Sequence, residues 1–190
     1  MKKIIIVLTV LLIICGGGVY VYNNIYNSKP IDLGVKVTED DIASLEEKLQ
    51  DTTVDDETGV STFTTTLNEA ETSVLFSRDL ATILPCENVQ VKLNEDQMLM
   101  SFMATLTDEL IASINAPIPL PKSASVYLEC NVVTKEQVTV SVISAKIADL
   151  PLPESFLKNY QKVINDVFSN LGYEQIKVNV GSMDVTGTVK

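Results

Sequence analysis

The chain has 190 residues and a formal net charge of −11, and it contains neither histidine nor tryptophan. So acidic a protein is repelled by the phosphate backbone of a nucleic acid, which argues against nucleic acid as a partner. Without histidine, no Ser-His-Asp or Cys-His catalytic site can be built, and most zinc sites lose their usual ligand. We therefore expect a protein that is not an enzyme, with no catalytic residues, no metal site and no cofactor.

The chain begins with a predicted membrane anchor. Lys2 and Lys3 precede an uncharged run at residues 4–22, IIIVLTVLLIICGGGVYVY. At about 1.5 Å of rise per residue, a helix of this length nearly spans the roughly 30 Å apolar core of a bilayer. The two lysines favour the cytoplasmic side, so the rest of the chain is expected outside the cytoplasm.

The anchor divides the chain into three expected parts. Residues 1–23 form a signal-anchor transmembrane helix, residues 24–58 a juxtamembrane tether with a short helix, and residues 59–190 an extracytoplasmic α+β domain. Lipidation at Cys15 and cleavage as a signal peptide stay open as alternatives for the N-terminus. All three interpretations place the part after residue 30 outside the cytoplasm, and the uncleaved anchor predicts a single-pass protein of the cell membrane.

The tether contains one predicted helix. Thr38 and Asp41, three residues apart, resemble a capping box that opens a helix over residues 39–49. The acidic stretch DTTVDDETG after it is typical of a solvated connector.

From Gly59 the pattern predicts a strand followed by a second helix. The stretch VSTFTTTL is rich in threonine and branched residues, which favour strands. Thr66 and Glu69 then form a second apparent capping box, and the helix that they open is predicted to run to about Leu80.

Two predicted hairpins follow. ENVQVKL alternates strictly and turns at NED into QMLMSFMATLT. One face of the second strand carries Met98, Met100, Phe102, Ala104 and Leu106. Its other face carries Leu99 and Met103, which are apolar although a one-sided sheet exposes that face, so we expect another part of the chain to cover them.

The second hairpin contains a change of phase. SVYLECNVV and VTVSVISAKI alternate, but the apolar positions of the latter shift at Ile143, which predicts a bulge or a strand that wraps around an edge. Cys86 and Cys130 are the only cysteines outside the anchor, and the sequence leaves open whether they form a disulfide or stay as two free thiols.

A long amphipathic helix is predicted from Pro153 to Leu171. Prolines precede it in DLPLPE and stop the sheet, its two adjoining apolar rows form a wide stripe, and Gly172 ends it. The short strands QIKVNV and MDVTGTV close the chain. Antiparallel hairpins with segregated helices predict an α+β fold.

Three stretches resemble a known group of proteins: LNEAETSVLF, ISAKIADLPLPESFLKNYQKVINDVF and VNVGSMDVTGTV. They are similar to the small bacterial envelope proteins of the YpmS type and the lipid-binding LmeA type, which are related to the tubular lipid-binding (BPI/SMP-like) superfamily. The resemblance covers about residues 60–190, and its most specific element is the Leu150-Pro151-Leu152-Pro153 junction. It implies a curved antiparallel sheet packed on a long amphipathic helix with an acyl chain held between them, and it implies no catalytic residue.

The predicted ligand site is an apolar slot between the sheet and the late helix. Its predicted lining residues are Met98, Met100, Phe102, Phe156, Tyr160, Val163 and Val167. Methionine suits such a site because its side chain is flexible and polarizable. The same residues are also compatible with an ordinary filled core.

The sequence thus supports two functional hypotheses. The first is a membrane-anchored, extracytoplasmic, non-catalytic binding module for lipid or another apolar ligand, tethered through residues 4–22. The second is a structural or adaptor protein of the cell envelope that acts through contacts with a partner protein.

Overall fold

A computed structural model describes residues 26–54, 61–82, 85–108, 111–112, 121–134, 138–148, 150–155, 157–158, 161, 165 and 173–188. The predicted anchor at residues 4–22 lies outside these ranges. So do four of the predicted slot residues, Phe156, Tyr160, Val163 and Val167. Within the described ranges, no helix is both long and apolar enough to cross a membrane.

The described residues form an α+β fold, as predicted. Two helices are described from end to end, α1 (Glu39–Gln50) and α2 (Glu69–Ala81). The strands are β1 (Thr52–Val54), β2 (Ser61–Asn68), β3 (Cys86–Asn94), β4 (Gln97–Thr105), β5 (Ser123–Thr134), β6 (Val138–Ile147), β7 (Leu150–Pro151), β8 (Tyr173–Asn179) and β9 (Ser182–Thr188). They build two antiparallel sheets rather than the single curved sheet that the resemblance implies: sheet A, in the order β1-β2-β9-β8, and sheet B, in the order β3-β4-β5-β6-β7.

Sheet A joins β1 and β2 to the last two strands of the described chain. β2 pairs along its whole length with β9, so that Leu67 lies opposite Met183 and both side chains are buried. β8 and β9 form a hairpin whose turn contains Gly181 at φ 74°, a left-handed conformation that glycine adopts without strain. The pairing of β2 with β9 thus joins strands that are distant in sequence, although each strand separately follows from local alternation.

Sheet B follows the predicted alternation closely. Val89, Val91 and Leu93 of β3 are buried on the same side as the predicted inner positions of β4. The phase change in β6 is a bulge, as predicted. Glu129 pairs with Ser144 and Cys130 pairs with Val142, so Ile143 is the extra residue, and 45% of its surface is exposed.

The two sheets share one hydrophobic core, and backbone hydrogen bonds join them at the β3–β4 turn. The N–H of Asp96 donates to the carbonyl of Val178 (3.2 Å), and the N–H of Gly181 donates to the carbonyl of Leu93 (3.0 Å). Buried side chains from both sheets, and from both helices, form a single cluster. The segment predicted as a tether belongs to this structure, since Leu45 of α1 is 1% exposed and β1 pairs with β2.

One capping box lies where it was predicted, and the other does not. Thr38 and Asp41 cap α1 reciprocally. The box predicted at Thr66 and Glu69 is wrong, because Thr66 is still in β2, where its hydroxyl donates to Asp184 on β9 (2.7 Å). Asn68 caps α2 instead, paired with Glu71. The hydroxyl of Thr66 is engaged across the sheet, so the strand continues for two more residues before the helix begins.

Helix α2 closes one edge of sheet B with side chains. The backbone N–H of Val91 donates to Ser73 Oγ (2.8 Å), and that of Leu93 donates to Glu69 Oε1 (2.9 Å). Four residues of a helix rise about 6 Å, and two residues of a strand rise about 6.6 Å. Because these distances nearly match, every fourth side chain of an antiparallel helix can accept a hydrogen bond from every second residue of the strand. The N–H groups of an edge strand, which would otherwise invite pairing with another chain, are thereby satisfied.

The late helix closes the opposite edge in the same way. β7 pairs with β6 only at Lys146 and Ile147. Beyond it, the N–H of Val142 donates to Gln161 Oε1 (3.1 Å), and the N–H of Val140 donates to Asn165 Oδ1 (2.8 Å). Gln161 Nε2 also donates to the carbonyl of Val140. The polar side of this helix therefore has a structural task of its own, which the apolar stripe in the sequence does not reveal.

We predict that Gln161→Ala combined with Asn165→Ala lowers the free energy of unfolding by about 2 kcal/mol, since each hydrogen bond contributes about 1 kcal/mol. The double variant should also self-associate, because it exposes the β6 edge. Urea unfolding and light scattering measure the two effects. The control is Lys158→Ala, whose ammonium on the same helix pairs with the exposed Glu154 (2.7 Å). A double variant that behaves like this control contradicts the edge-closing role.

Candidate functional site

The three described residues of the predicted slot lie in the core. Met98, Met100 and Phe102 are 1%, 2% and 3% exposed and pack with the buried side chains of both sheets. The four slot residues on the late helix lie outside the described ranges, so the slot as a whole stays a prediction. Three cavities bounded by described residues are lined by other side chains.

A segment that we call the strap, residues Ser28–Leu33, crosses the outer face of sheet B. At one end, Ser28 Oγ accepts a hydrogen bond from the N–H of Ser125 on β5 (3.3 Å). At the other end, the N–H of Leu33 donates to Gln90 Oε1 on β3 (2.8 Å). β4 lies between these two strands, so the strap passes over it. The strap therefore supplies the expected cover at Met103, and both Leu99 and Met103 are half-buried.

Two cavities are both lined in part by Met103, and together we call them the strap groove. The larger, of about 500 Å³, is lined by Ser28, Lys29, Pro30, Asn88, Gln90 and Met103. The smaller, of about 340 Å³, is lined by Ala81, Pro85, Cys86, Glu87, Met103, Ala104, Thr105 and Ser123. Both volumes fall within the range of roughly 300–1,000 Å³ that is usual for small-molecule sites. A third cavity, of about 270 Å³, lies at the junction of the sheets, next to Val132 and Ile176.

A bulge in β3 shapes the groove. The register against β4 shifts between Glu87 and Gln90, and Asn88 within the bulge has φ 55°. Asparagine tolerates this left-handed conformation better than most residues. Bulges redirect side chains, and here both Asn88 and Gln90 line the larger cavity.

The Cys86 thiol lines the smaller cavity. Burial raises the pKa of the Cys86 thiol, which keeps it protonated and weakly nucleophilic. Among the described residues, no group of three acidic or cysteine side chains is arranged to hold a metal ion. The arrangement suits non-covalent binding: an apolar floor at Met103, with polar side chains around it.

Ser101 carries a buried hydroxyl under this face. It is 0% exposed, and Oγ has no hydrogen bond among the described residues. Ser101 lies opposite Gln90 in the sheet and two residues from Met103, so it shares their face. An unsatisfied buried polar atom costs free energy, and few occur in a folded protein.

We predict that Ser101→Ala raises the free energy of unfolding by about 1 kcal/mol, because the substitution removes a buried polar atom that makes no bond. Ser125→Ala is the matched control, since its side chain is also buried and it lies on the neighbouring strand. Denaturant unfolding measures both variants. A loss of more than 1 kcal/mol in Ser101→Ala alone means that the hydroxyl has a partner, such as a bound water.

The disulfide alternative for Cys86 and Cys130 is not realised, and both thiols are free. Cys86 pairs across the sheet with Ala104, which pairs with Ala124 on β5. Cys130 lies six residues further along β5, about 20 Å away at 3.3 Å per residue. A disulfide requires Cα atoms about 4.4–6.8 Å apart, so the sheet register excludes the bond within the chain.

The sequence pointed to this region only indirectly. Ser28, Lys29, Asn88 and Gln90 belong to no motif, and only the outward apolar residues Leu99 and Met103 indicated that the face is covered. Comparisons of the chain with protein-family models, with curated proteins and with solved structures find no match.

Proposed function

We propose that the chain is a membrane-anchored, extracytoplasmic, non-catalytic binding module for lipid or another apolar ligand, and that the strap groove holds the ligand. The observation that carries this proposal is that two cavities, one beside the strap and one at the end of β4, share Met103 as a lining residue.

The lining suits an elongated ligand with an apolar body. Met103 forms the common floor, and its flexible, polarizable thioether adapts to hydrocarbon of varied shape. Pro30 adds apolar surface on the strap side, and Ala81, Pro85 and Ala104 add it on the far side. Polar side chains at the rim allow one end of a ligand to remain solvated.

The position of the strap fits delivery from a membrane. Ser28 follows Tyr22, the last residue of the predicted anchor, by six positions. Six residues extend at most about 20 Å, so an anchor that spans the bilayer keeps the groove close to the outer leaflet. The ligand then has only a short path between the bilayer and the groove.

A photoactivatable probe tests the proposal in the full chain in lipid nanodiscs. The probe is a fatty alcohol with a diazirine in its hydrocarbon chain, and mass spectrometry locates its adducts. We expect adducts on the strap and on the segment around Met103, and fewer of them in Met103→Trp, whose larger side chain fills the floor. The control, Val180→Trp, alters a side chain that is 76% exposed at the β8–β9 turn.

The distribution of adducts decides between the hypotheses. Labelling confined to residues 4–22 excludes the groove as an apolar site and leaves the adaptor hypothesis. Labelling near Met100 and the late helix instead favours the slot that the sequence predicts.

A further inference from the structure

The strap groove has its two charged lining residues in different cavities, Lys29 in the larger and Glu87 in the smaller. Lys29 lines the larger cavity, and none of the described residues around that cavity is acidic. Lys29 takes part in none of the ion pairs among the described residues. In a chain with a net charge of −11, a cation at a cavity without an acidic partner is available to a ligand.

The polar groups beside Lys29 include several hydrogen-bond donors. Gln90 Oε1 already accepts from the N–H of Leu33, which leaves the amide nitrogen of Gln90 as the free group. Ser28 Oγ accepts from the N–H of Ser125, which leaves its hydroxyl hydrogen to donate. A lysine ammonium only donates. A ligand that satisfies this set must bring acceptors, and a carboxylate is the simplest such group.

The smaller cavity carries a charge of the opposite sign. Its only charged lining residue is Glu87, and it contains no cation among the described residues. An anionic group is therefore favoured beside Lys29 and repelled at the far end. Met103 lines both cavities, so a ligand that contacts both must pass this residue.

The geometry points to a single-chain anionic amphiphile, a carboxylate of the fatty-acid class, as the ligand of the strap groove. Its carboxylate lies beside Lys29, Ser28 and Gln90, and its hydrocarbon chain lies over Met103 toward Cys86. This inference rests on the proposed function, because it names the ligand class of the same groove.

Paired probes test the inference in the full chain in lipid nanodiscs. One is a fatty acid with a diazirine in its chain, and the other is the corresponding fatty alcohol; only adducts on groove residues are counted. An ion pair at an exposed lysine favours the acid about three- to fivefold. We expect this ratio in the unaltered chain and in Lys29→Arg, and a ratio near one in Lys29→Gln. Lys36→Gln, an exposed lysine outside the groove, should keep the original ratio.

The outcomes separate the inference from the proposed function. Equal labelling by both probes, or a preference for the acid that survives in Lys29→Gln, overturns the carboxylate assignment and leaves an apolar groove. A groove that neither probe labels overturns the proposed function together with the inference.

Discussion

Glu71→Ala is expected to lower the free energy of unfolding by about 3 kcal/mol, because it removes a buried carboxylate that several hydrogen bonds satisfy. Glu71 is 1% exposed. It accepts bonds from Ser44 Oγ (2.6 Å), from Lys48 Nζ (2.7 Å to each oxygen) and from the N–H of Asn68 (2.8 Å). These bonds tie α1 to the start of α2, so the substitution should loosen the N-terminal helix as well. Denaturant unfolding gives the free energy, and hydrogen exchange in α1 gives the local effect.

The control for this prediction is Glu47→Ala on the exposed side of α1, with an expected change below about 0.5 kcal/mol. Equal effects of the two substitutions would mean that the Glu71 network does not hold the helices together.

The same carboxylate predicts a dependence of stability on pH. Burial alone raises the pKa of Glu71, but the bonds from Lys48, Ser44 and the Asn68 N–H outweigh it, so the pKa lies below its ordinary value of 4.5. Because folding lowers the pKa of Glu71, its ionised carboxylate stabilises the protein fully at pH values above the ordinary pKa. This contribution is lost as the pH falls through the folded-state pKa. The difference in stability between the unaltered chain and Glu71→Gln should therefore be constant near neutral pH and shrink below about pH 4.5. A difference that does not change with pH would contradict this role.

Met100→Ala is expected to lower the free energy of unfolding by about 3 kcal/mol, since truncation of a buried side chain leaves a cavity. Met100 is 2% exposed and faces the core between the sheets. Met103→Ala, three residues along the same strand, should cost under about 1 kcal/mol, because Met103 is half-buried beside open space. Urea unfolding of the two variants compares the two faces of β4. Met100 reports on the face that packs in the core, and Met103 reports on the face that lines the groove.

This pair of substitutions also tests the slot that the sequence predicts. If Met98, Met100 and Phe102 lined an open apolar slot, truncation of Met100 would be cheap. A cost below that of Met103→Ala would reverse the assignment of the two faces.

Local alternation predicted most of the strands and their inner faces. The buried positions of β3 and β4, the bulge at Ile143 and the capping box at Thr38 all follow from interactions between residues near in sequence. The division into two sheets did not follow, because it depends on the pairing of β2 with β9 across most of the chain. The stretch VSTFTTTL does not by itself show which of the two sheets its strand joins.

The groove was harder to predict than the fold for a related reason. Its polar groups come from the strap, from a bulge in β3 and from the start of β5, which only the tertiary structure brings together. The hydrogen bonds of Gln161 and Asn165 to the edge of β6 also depend on the tertiary structure. An amide that bonds a strand edge and an amide that faces water have the same helical spacing, so sequence periodicity does not separate them.

Methionine methyl groups offer the most direct test of where an apolar ligand binds. The chain has five methionines: Met1, Met98, Met100, Met103 and Met183. With carbon-13 in their methyl groups, the full chain in nanodiscs is titrated with a fatty alcohol, and single Met→Leu variants assign the signals. We expect the chemical shift of the Met103 methyl signal to change saturably as the alcohol is added. The chemical shifts of the buried Met98, Met100 and Met183 should not change. A Met103 signal that does not move, or larger shifts at Met98 and Met100, would contradict it.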